Sequence, residues 1–139
     1  MRITTITATV STADREGADT HGGVHLGICG REFTLESGVD DFARGMTRTF
    51  VLGAGSNALN PAGNDPRTPP LSTGDLAHFP VYVRFGPRDP RDTWCLENVT
   101  VAVNPGSGDL GYGNVPLLGG DKRLWLADDS GRTVYLKEQ

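Results

Sequence analysis

The sequence is short of cysteine, of aromatic residues and of long apolar runs. Its two cysteines, Cys29 and Cys95, are too few for a disulfide framework. Each lies in a strand-like run and reads as a small buried filler. Aromatics are 7% of the chain, so the core must be built mainly from aliphatic side chains. No apolar run approaches the roughly 20 residues of a membrane span. The opening Met1-Arg2-Ile3-Thr4 enters a strand-like alternation without an apolar leader, which makes a cytoplasmic protein the expectation. A surplus of bases is lacking too: 13 Lys and Arg stand against 17 Asp and Glu, for a net charge of −4. That balance argues against grip on a phosphate backbone, so no nucleic-acid partner is expected. Among the bases arginine predominates, and with abundant Gly, Ala, Asp and Pro this usage points to a bacterial genome rich in GC.

Sustained helical periodicity is missing as well, and β signals fill the chain. Ile3, Thr5, Thr7 and Thr9 alternate with Thr4, Ile6, Ala8 and Val10, a β-branched pattern suited to a pleated sheet. Further strands are predicted at Val24–Cys29, Glu32–Leu35, Thr47–Leu52, Phe79–Phe85 and Trp94–Val103. A hairpin-like connection is placed at Gly30-Arg31, and a closing hairpin pairs Arg123–Ala127 with Thr133–Lys137. Ser11–Gly23, Ser37–Gly45, Gly86–Asp92 and Asn104–Gly113 read as connections. Any helix is a single turn, at Asp40–Ala43 or Thr73–Ala77. Gly53–Gly74 holds Asn60-Pro61, Asp65-Pro66 and Pro69-Pro70, so it cannot be a central strand. It reads as a long surface insertion, mobile or functionally adapted, whose removal should leave the domain folded. Regularly spaced short strands over 139 residues predict a single domain, all-β, as a sandwich or barrel.

Several motifs in order sharpen that picture. They are Thr12–Val24 (T-A-D-R-E-G-A-D-T-H-G-G-V), Leu35-Glu36 with Asp40-Asp41-Phe42-Ala43-Arg44-Gly45 and Thr49-Phe50, Trp94-Cys95-Leu96-Glu97-Asn98-Val99, and Trp125-Leu126-Ala127-Asp128-Asp129. Together they resemble the polycystin–lipoxygenase–alpha-toxin (PLAT) domain family over nearly the whole chain. The resemblance implies an antiparallel β-sandwich of two roughly four-stranded sheets. It also implies a module that docks to membranes or to proteins, often with calcium. Three departures stand out. His21 occupies the place of a usual Asp, Ala43 that of a Glu, and Gly53–Gly74 is longer than the usual link.

On that resemblance, the loops Asp14–His21, Glu36–Asp41 and Asp89–Asp92 should approach one end. Asp19, His21, Asp40, Asp41 and Asp92 are the candidate metal residues. Calcium takes six to eight oxygen ligands with carboxylates supplying the charge, so the two lost carboxylates imply weak calcium binding. His21 with Asp41 better suits a transition metal. The competing reading is that these acids are turn residues, for which Asp is favoured by its own backbone hydrogen bonds.

Catalytic motifs are absent: no G-x-S-x-G, H-E-x-x-H or C-x-x-C occurs. His25 and His78 read as half-exposed sheet residues. Trp94 is expected in the core and Trp125 partly buried. With few loop aromatics and an acidic balance, peripheral membrane contact is disfavoured. The reading is therefore a non-catalytic binding module for a protein partner or a lipid-like ligand. The alternative is a small enzyme, of cyclase or hydrolase type, acting on an apolar metabolite in a pocket of the sandwich.

Overall fold

The computed structural model describes residues 1–108, 110–114 and 123–139. Among them the strands are β1 (Thr5–Thr12), β2 (Gly23–Ile28), β3 (Arg31–Thr34), β4 (Thr47–Gly53), β5 (Tyr82–Gly86), β6 (Thr93–Val103), β7 (Leu110–Gly113), β8 (Leu124–Ala127), β9 (Thr133–Tyr135) and β10 (Lys137–Glu138). A 3₁₀ turn spans Thr73–Ala77, capped by the Ser72 side chain. No helix of the described residues is long and apolar enough to cross a membrane.

All pairings are antiparallel and form two sheets. One has the order β10-β7-β6-β1-β4, with β8 also on β6; the other is β3-β2-β5-β9. β7 pairs with Thr100–Val103 and β8 with Thr93–Leu96, so they occupy successive lengths of one edge of β6. In the gap between them Asn114 Oδ1 accepts from Val99 N at 2.8 Å. The larger sheet is thus about four columns wide through most of its height, as the resemblance implied, with β10 added.

Alternation explains the core. Ile6, Ala8 and Val10 of β1 point inward and the intervening threonines outward. Trp94, Leu96, Val99 and Val101 are all buried, although Leu96 and Val99 are out of step for a period of two. The register supplies the reason: Ser11 faces Asn98 while Thr12 faces Leu96, so Glu97 is an extra residue in a bulge. The bulge resets the phase and returns Val99, Val101 and Val103 to the interior. Trp94 sits at its start, donating from Nε1 to Thr12 Oγ1 at 2.9 Å and packing edge-on against Phe42.

Four expectations need correction. The first hairpin turns at Cys29-Gly30, not Gly30-Arg31, because Ile28 pairs directly with Arg31 and Cys29 takes φ 54°. Its buried thiol is pushed up to about 11 by desolvation. The closing segments are not a hairpin: β8 joins β6 in one sheet and β9 joins β5 in the other. Turn chemistry shows that the chain reverses there, but not which neighbour each strand finds. Asn104–Gly113 is not all connection, since β7 begins at Leu110. Phe79 also lies outside the strand predicted for it, β5 starting at Tyr82.

The insertion Gly53–Gly74 lies on the surface but is tied down. Asn57 takes the place of a neighbouring strand on β4, accepting from Val51 N at 2.8 Å and donating to Thr49 O at 2.9 Å. Asn64 does the same for β3, accepting from Thr34 N at 2.9 Å. Arg31 donates to the carbonyls of Asp65, Thr68 and Gly63, and Ala58 enters the core. Farther on, Ile3 N donates to Leu71 O and Thr73 N to Met1 O. The segment is a strap along the free edges of β3 and β4, one from each sheet. Sequence reasoning saw the prolines that bar strand geometry, but not that asparagine amides can stand in for peptide groups.

The outer face of the smaller sheet is cross-linked. Arg84 of β5 forks onto Glu32 of β3, with Nε–Oε2 at 2.9 Å and Nη2–Oε1 at 2.8 Å. Tyr82 donates its hydroxyl to Glu32 Oε2 at 2.7 Å. Hydrogen bonding from Arg84 is the main cause that brings the Glu32 carboxyl down to about 2, with Tyr82 assisting.

Two predictions follow from these contacts. Asn64→Ala leaves the Thr34 N–H on β3 without its partner, at a cost of about 1–3 kcal/mol. Thermal unfolding should show the drop in Tm, and amide exchange of Thr34 should accelerate; an unchanged Tm would mean the strap is dispensable. Because the folded carboxyl of Glu32 titrates below its ordinary value, its contribution is present above about pH 4.5 and lost as pH falls toward 2. The denaturation midpoint of Glu32→Gln should therefore vary less across that acid window than the wild type's, and identical acid limbs would refute the assignment.

Candidate functional site

β1, β3, β5 and β8 all run toward one end of the sandwich, so their following loops, residues 13–22, 35–46, 87–92 and 128–132, gather there. This is the loop end anticipated from the sequence. Its floor is aromatic: Phe42 packs against Phe50 and Trp94, and Phe85 against Trp94, with ring centroids 5.4–5.8 Å apart. Phe42 is the apolar residue of D-F-A-R-G, and its burial fixes the height of loop 35–46 over the core.

The acids of these loops divide by task. Asp41 is only 4% exposed. Its Oδ2 accepts from Ser37 N at 2.8 Å and its Oδ1 from the Ser37 hydroxyl. Arg48 Nε lies 3.1 Å from Asp41 Oδ1, near enough to offset its charge, but the N–H is not aimed to make a hydrogen bond. Asp92 takes the hydroxyl of Thr20 at 2.7 and 2.9 Å and Arg88 N at 2.8 Å. Thr20 Oγ1 in turn accepts from Gly22 N at 2.8 Å. A Cβ on Gly22 would stand 2.6 Å from Gly86 O and 2.7 Å from Asp92 Oδ2, so only glycine lets these loops close. Asp92 thus staples loop 87–92 to loop 13–22, while Asp41 closes its own loop through Ser37. Asp19 and Asp40 remain exposed, and Asp40 Oδ1 lies 3.8 Å from His21 Nδ1.

Two grooves flank His21. One, of ≈ 350 Å³, lies between residues 20–24 and the loop bearing Val39, Asp40, Asp41 and Phe42. The other, of ≈ 370 Å³, is bounded by Asp19, Thr20, His21, Arg88, Asp89, Arg91 and Asp92. Asp40 and Asp41 therefore face one groove, Asp19 and Asp92 the other, and His21 borders both. Among the described residues no three His, Cys, Asp or Glu side chains converge to hold a metal ion. The transition-metal pairing weighed for His21 and Asp41 has no support in this geometry, since the near partner of His21 is Asp40. As a calcium site the donor set fits poorly, because the oxygens of Asp41 and Asp92 already satisfy protein donors.

The sequence reading missed the apolar rim. Val39 is 61% exposed at the tip of loop 35–46, and Leu59 of the strap is 46% exposed. A Cβ built on Gly38 would lie 3.3 Å from Leu59, and Leu59 N donates to Glu36 O at 2.7 Å, so Leu59 packs against the residue that precedes Val39. A valine between Gly38 and Asp40-Asp41 was the available signal, an apolar residue in an otherwise polar turn. Leu59 gave none, because its position depends on the path of the strap. The histidines outside this end are unremarkable as catalysts: His25 is half-buried on β2 and His78 is exposed after the 3₁₀ turn.

No protein-family model matches the chain, and no curated protein matches it in sequence. Solved structures do match its fold. An alpha-toxin from Clostridium absonum superposes with a TM-score of 0.62 at 21% identity, covering 98% of this chain and 32% of the toxin. The alpha-toxin of an avian strain of Clostridium perfringens gives a TM-score of 0.63 at 18% identity, over 96% of this chain and 31% of that one. A deletion variant of LOX, solved in complex with arachidonate, gives 0.58 at 14% identity, over 97% of this chain and 16% of that one. The chain thus spans about a third of the toxins and a smaller part of the LOX. The chain therefore has the two-sheet antiparallel sandwich of these structures, a PLAT-like fold.

Proposed function

We propose that the chain is a non-catalytic binding module that engages a lipid-like ligand or a protein partner through its loop end. The observation that carries this reading is a pair of exposed apolar residues at the loop end, Val39 on the wall of a charged groove and Leu59 against the preceding Gly38. Solvated loops have no need to present aliphatic side chains together, whereas a docking surface does. Burying a whole aliphatic side chain is worth about 1.5–3 kcal/mol, so two half-exposed ones support weak attachment on their own. The net charge of −4 opposes anionic lipid, which favours a zwitterionic surface or a protein over an anionic membrane. The sandwich interior is filled by Trp94, Phe33, Phe50 and Phe85, leaving little support for an enzyme acting between the sheets. At the loop end, the hydroxyls of Thr20 and Ser37 are committed to Asp92 and Asp41 and are poorly placed to act as nucleophiles.

Co-sedimentation with zwitterionic phosphatidylcholine vesicles tests the lipid arm. Binding should be lost on Val39→Asp together with Leu59→Asp, both exposed and therefore tolerated by the fold, and should not rise when phosphatidylserine is added. Vesicle binding that survives the double substitution would remove the loop end from the reading. No vesicle binding by the wild type would leave the protein-partner arm.

Calcium is the second part of the proposal: an ion at this end would rest on the exposed Asp40, in the groove that Asp19 does not line, and be held weakly. In calorimetric titration Asp40→Asn should abolish the weak heat of binding, while Asp41→Asn should chiefly lower Tm. Tight calcium binding, or binding indifferent to Asp40→Asn, would overturn this division of labour.

A further inference from the structure

We propose that the outer face of the four-stranded sheet is a second binding site, separate from the loop end, that takes a neutral saccharide. The two outer faces of the sandwich differ in kind. That of the larger sheet presents β1 and β4 hydroxyls that pair with each other, Thr9 with Thr49 at 3.0 Å and Ser11 with Thr47 at 2.9 Å. That of the smaller sheet presents Tyr82, Tyr135, Arg84, Glu32, His25 and Thr34.

Gly27 shapes this face. It lies in the interior of β2, where glycine weakens a strand and marks close approach by another group. A Cβ there would stand 2.1 Å from Cε1 and Cζ of Tyr82. The Tyr82 ring therefore lies across β2, from its own strand β5 to its hydroxyl's acceptor, Glu32, on β3. Tyr135 of β9 is its register partner, 59% exposed, with ring centroids 6.1 Å apart and planes at 65°. One ring is a floor and the other a wall. The corner is rigid because the floor is pinned at its hydroxyl by a carboxylate that Arg84 also holds.

The chemistry of the ligand follows from the charges. The charges of Glu32 and Arg84 offset each other in a bidentate pair. His25 is held below its ordinary value, by burial and then by the Arg84 charge, so it is neutral at neutral pH. A free anion would meet Glu32 and a free cation would meet Arg84. A pyranose fits instead: its C–H face matches the negative face of an aromatic ring, and its hydroxyls match the amphipathic rim. A Cβ on Gly86 would stand 3.9 Å from His25 Nε2 and 4.0 Å from Arg84 Nη1, which places both nitrogens over a small residue farther along the same face, where the next unit of an oligosaccharide would lie. Among the described residues no hydrogen bond engages Arg84 Nη1, leaving a donor for a sugar hydroxyl. A protein partner is less suited, because among the described residues the four strands present no apolar side chain on this face, besides the two tyrosines, to form a dry centre.

The test is titration of the isotopically labelled full chain with cellohexaose, mannohexaose and hexagalacturonate in the millimolar range, followed by backbone NMR. The expected result is a set of shifts confined to β2, β3, β5 and β9 with a neutral hexaose and smaller ones with hexagalacturonate. Tyr135→Ala should weaken the binding by about tenfold, and Tyr135→Phe should leave it within about twofold, as a stacking contact requires. Tyr135 is exposed, so both variants should fold. Several results would overturn the proposal: no shifts with either neutral hexaose, stronger binding of the charged one, shifts at the loop end only, or binding indifferent to Tyr135→Ala. Concentration-dependent shifts on this face without sugar would replace it with self-association. None of these outcomes bears on vesicle binding, which reads Val39 and Leu59.

Discussion

The buried indole of Trp94 is the contact on which the loop end depends. It stands where β6 enters the sandwich, one turn of the pleat before the bulge at Glu97. Its N–H would be an unsatisfied donor in the core but for Thr12 Oγ1, the last residue of β1. That bond fixes where β1 stops and where loop 13–22 begins. Its ring carries Phe42 from the second loop and Phe85 from the strand that leads into the third. One side chain thus sets the relative heights of three loops that are far apart in sequence. The grooves beside His21 exist because these loops are held apart at their bases and stapled higher up.

The staples account for the most consequential feature of the acids. A carboxylate in a loop can order donors of its own protein or wait for a cation, and the same oxygens cannot do both at full strength. Asp41 and Asp92 have taken the first course. Their partners are Ser37 and the backbone N–H groups of Ser37 and Arg88, with Thr20 supplying a hydroxyl. A loop so built is rigid without metal. What is left free for a cation at this end is therefore the exposed Asp19 and Asp40, not the two most buried acids.

Much of the fold was legible in the sequence, and the reasons are local. Thr5–Thr12 carries its period of two on the surface of the sequence, as does Val99–Val103 beyond the bulge, so their burial followed directly. The order of Thr12–Val24, Asp41–Gly45 and Trp94–Val99 was enough to bring the loops to one end. What escaped was pairing and path. The bulge at Glu97 has no residue signature, being a consequence of which residues face Ser11 and Thr12. The segments around Asp128–Arg132 have turn composition whether the strands pair with each other or cross between sheets. Asp41 and Asp92 were legible as acids of the right loops, but their engagement with Ser37 and Thr20 is a matter of distances. Val39 could have been read as out of place; Leu59 could not.

The strap joins these themes. Its asparagines cap β3 and β4, which would otherwise expose peptide groups as templates for another chain. Its return passes Pro66 against Gly53, whose ideal Cβ would lie 3.2 Å from that ring. Between the two, its outer bend reaches loop 35–46 and sets Leu59 beside Gly38, the residue before Val39. Protection of the edges and construction of the apolar rim are consequently one structural act. A shorter link between β4 and β5 could cross from sheet to sheet, but it would leave Val39 alone at the rim, and a single half-exposed valine supplies too little burial to hold a partner. The length of Gly53–Gly74 is thus tied to the loop end through geometry, although the prolines that made it conspicuous lie mostly on its returning arm.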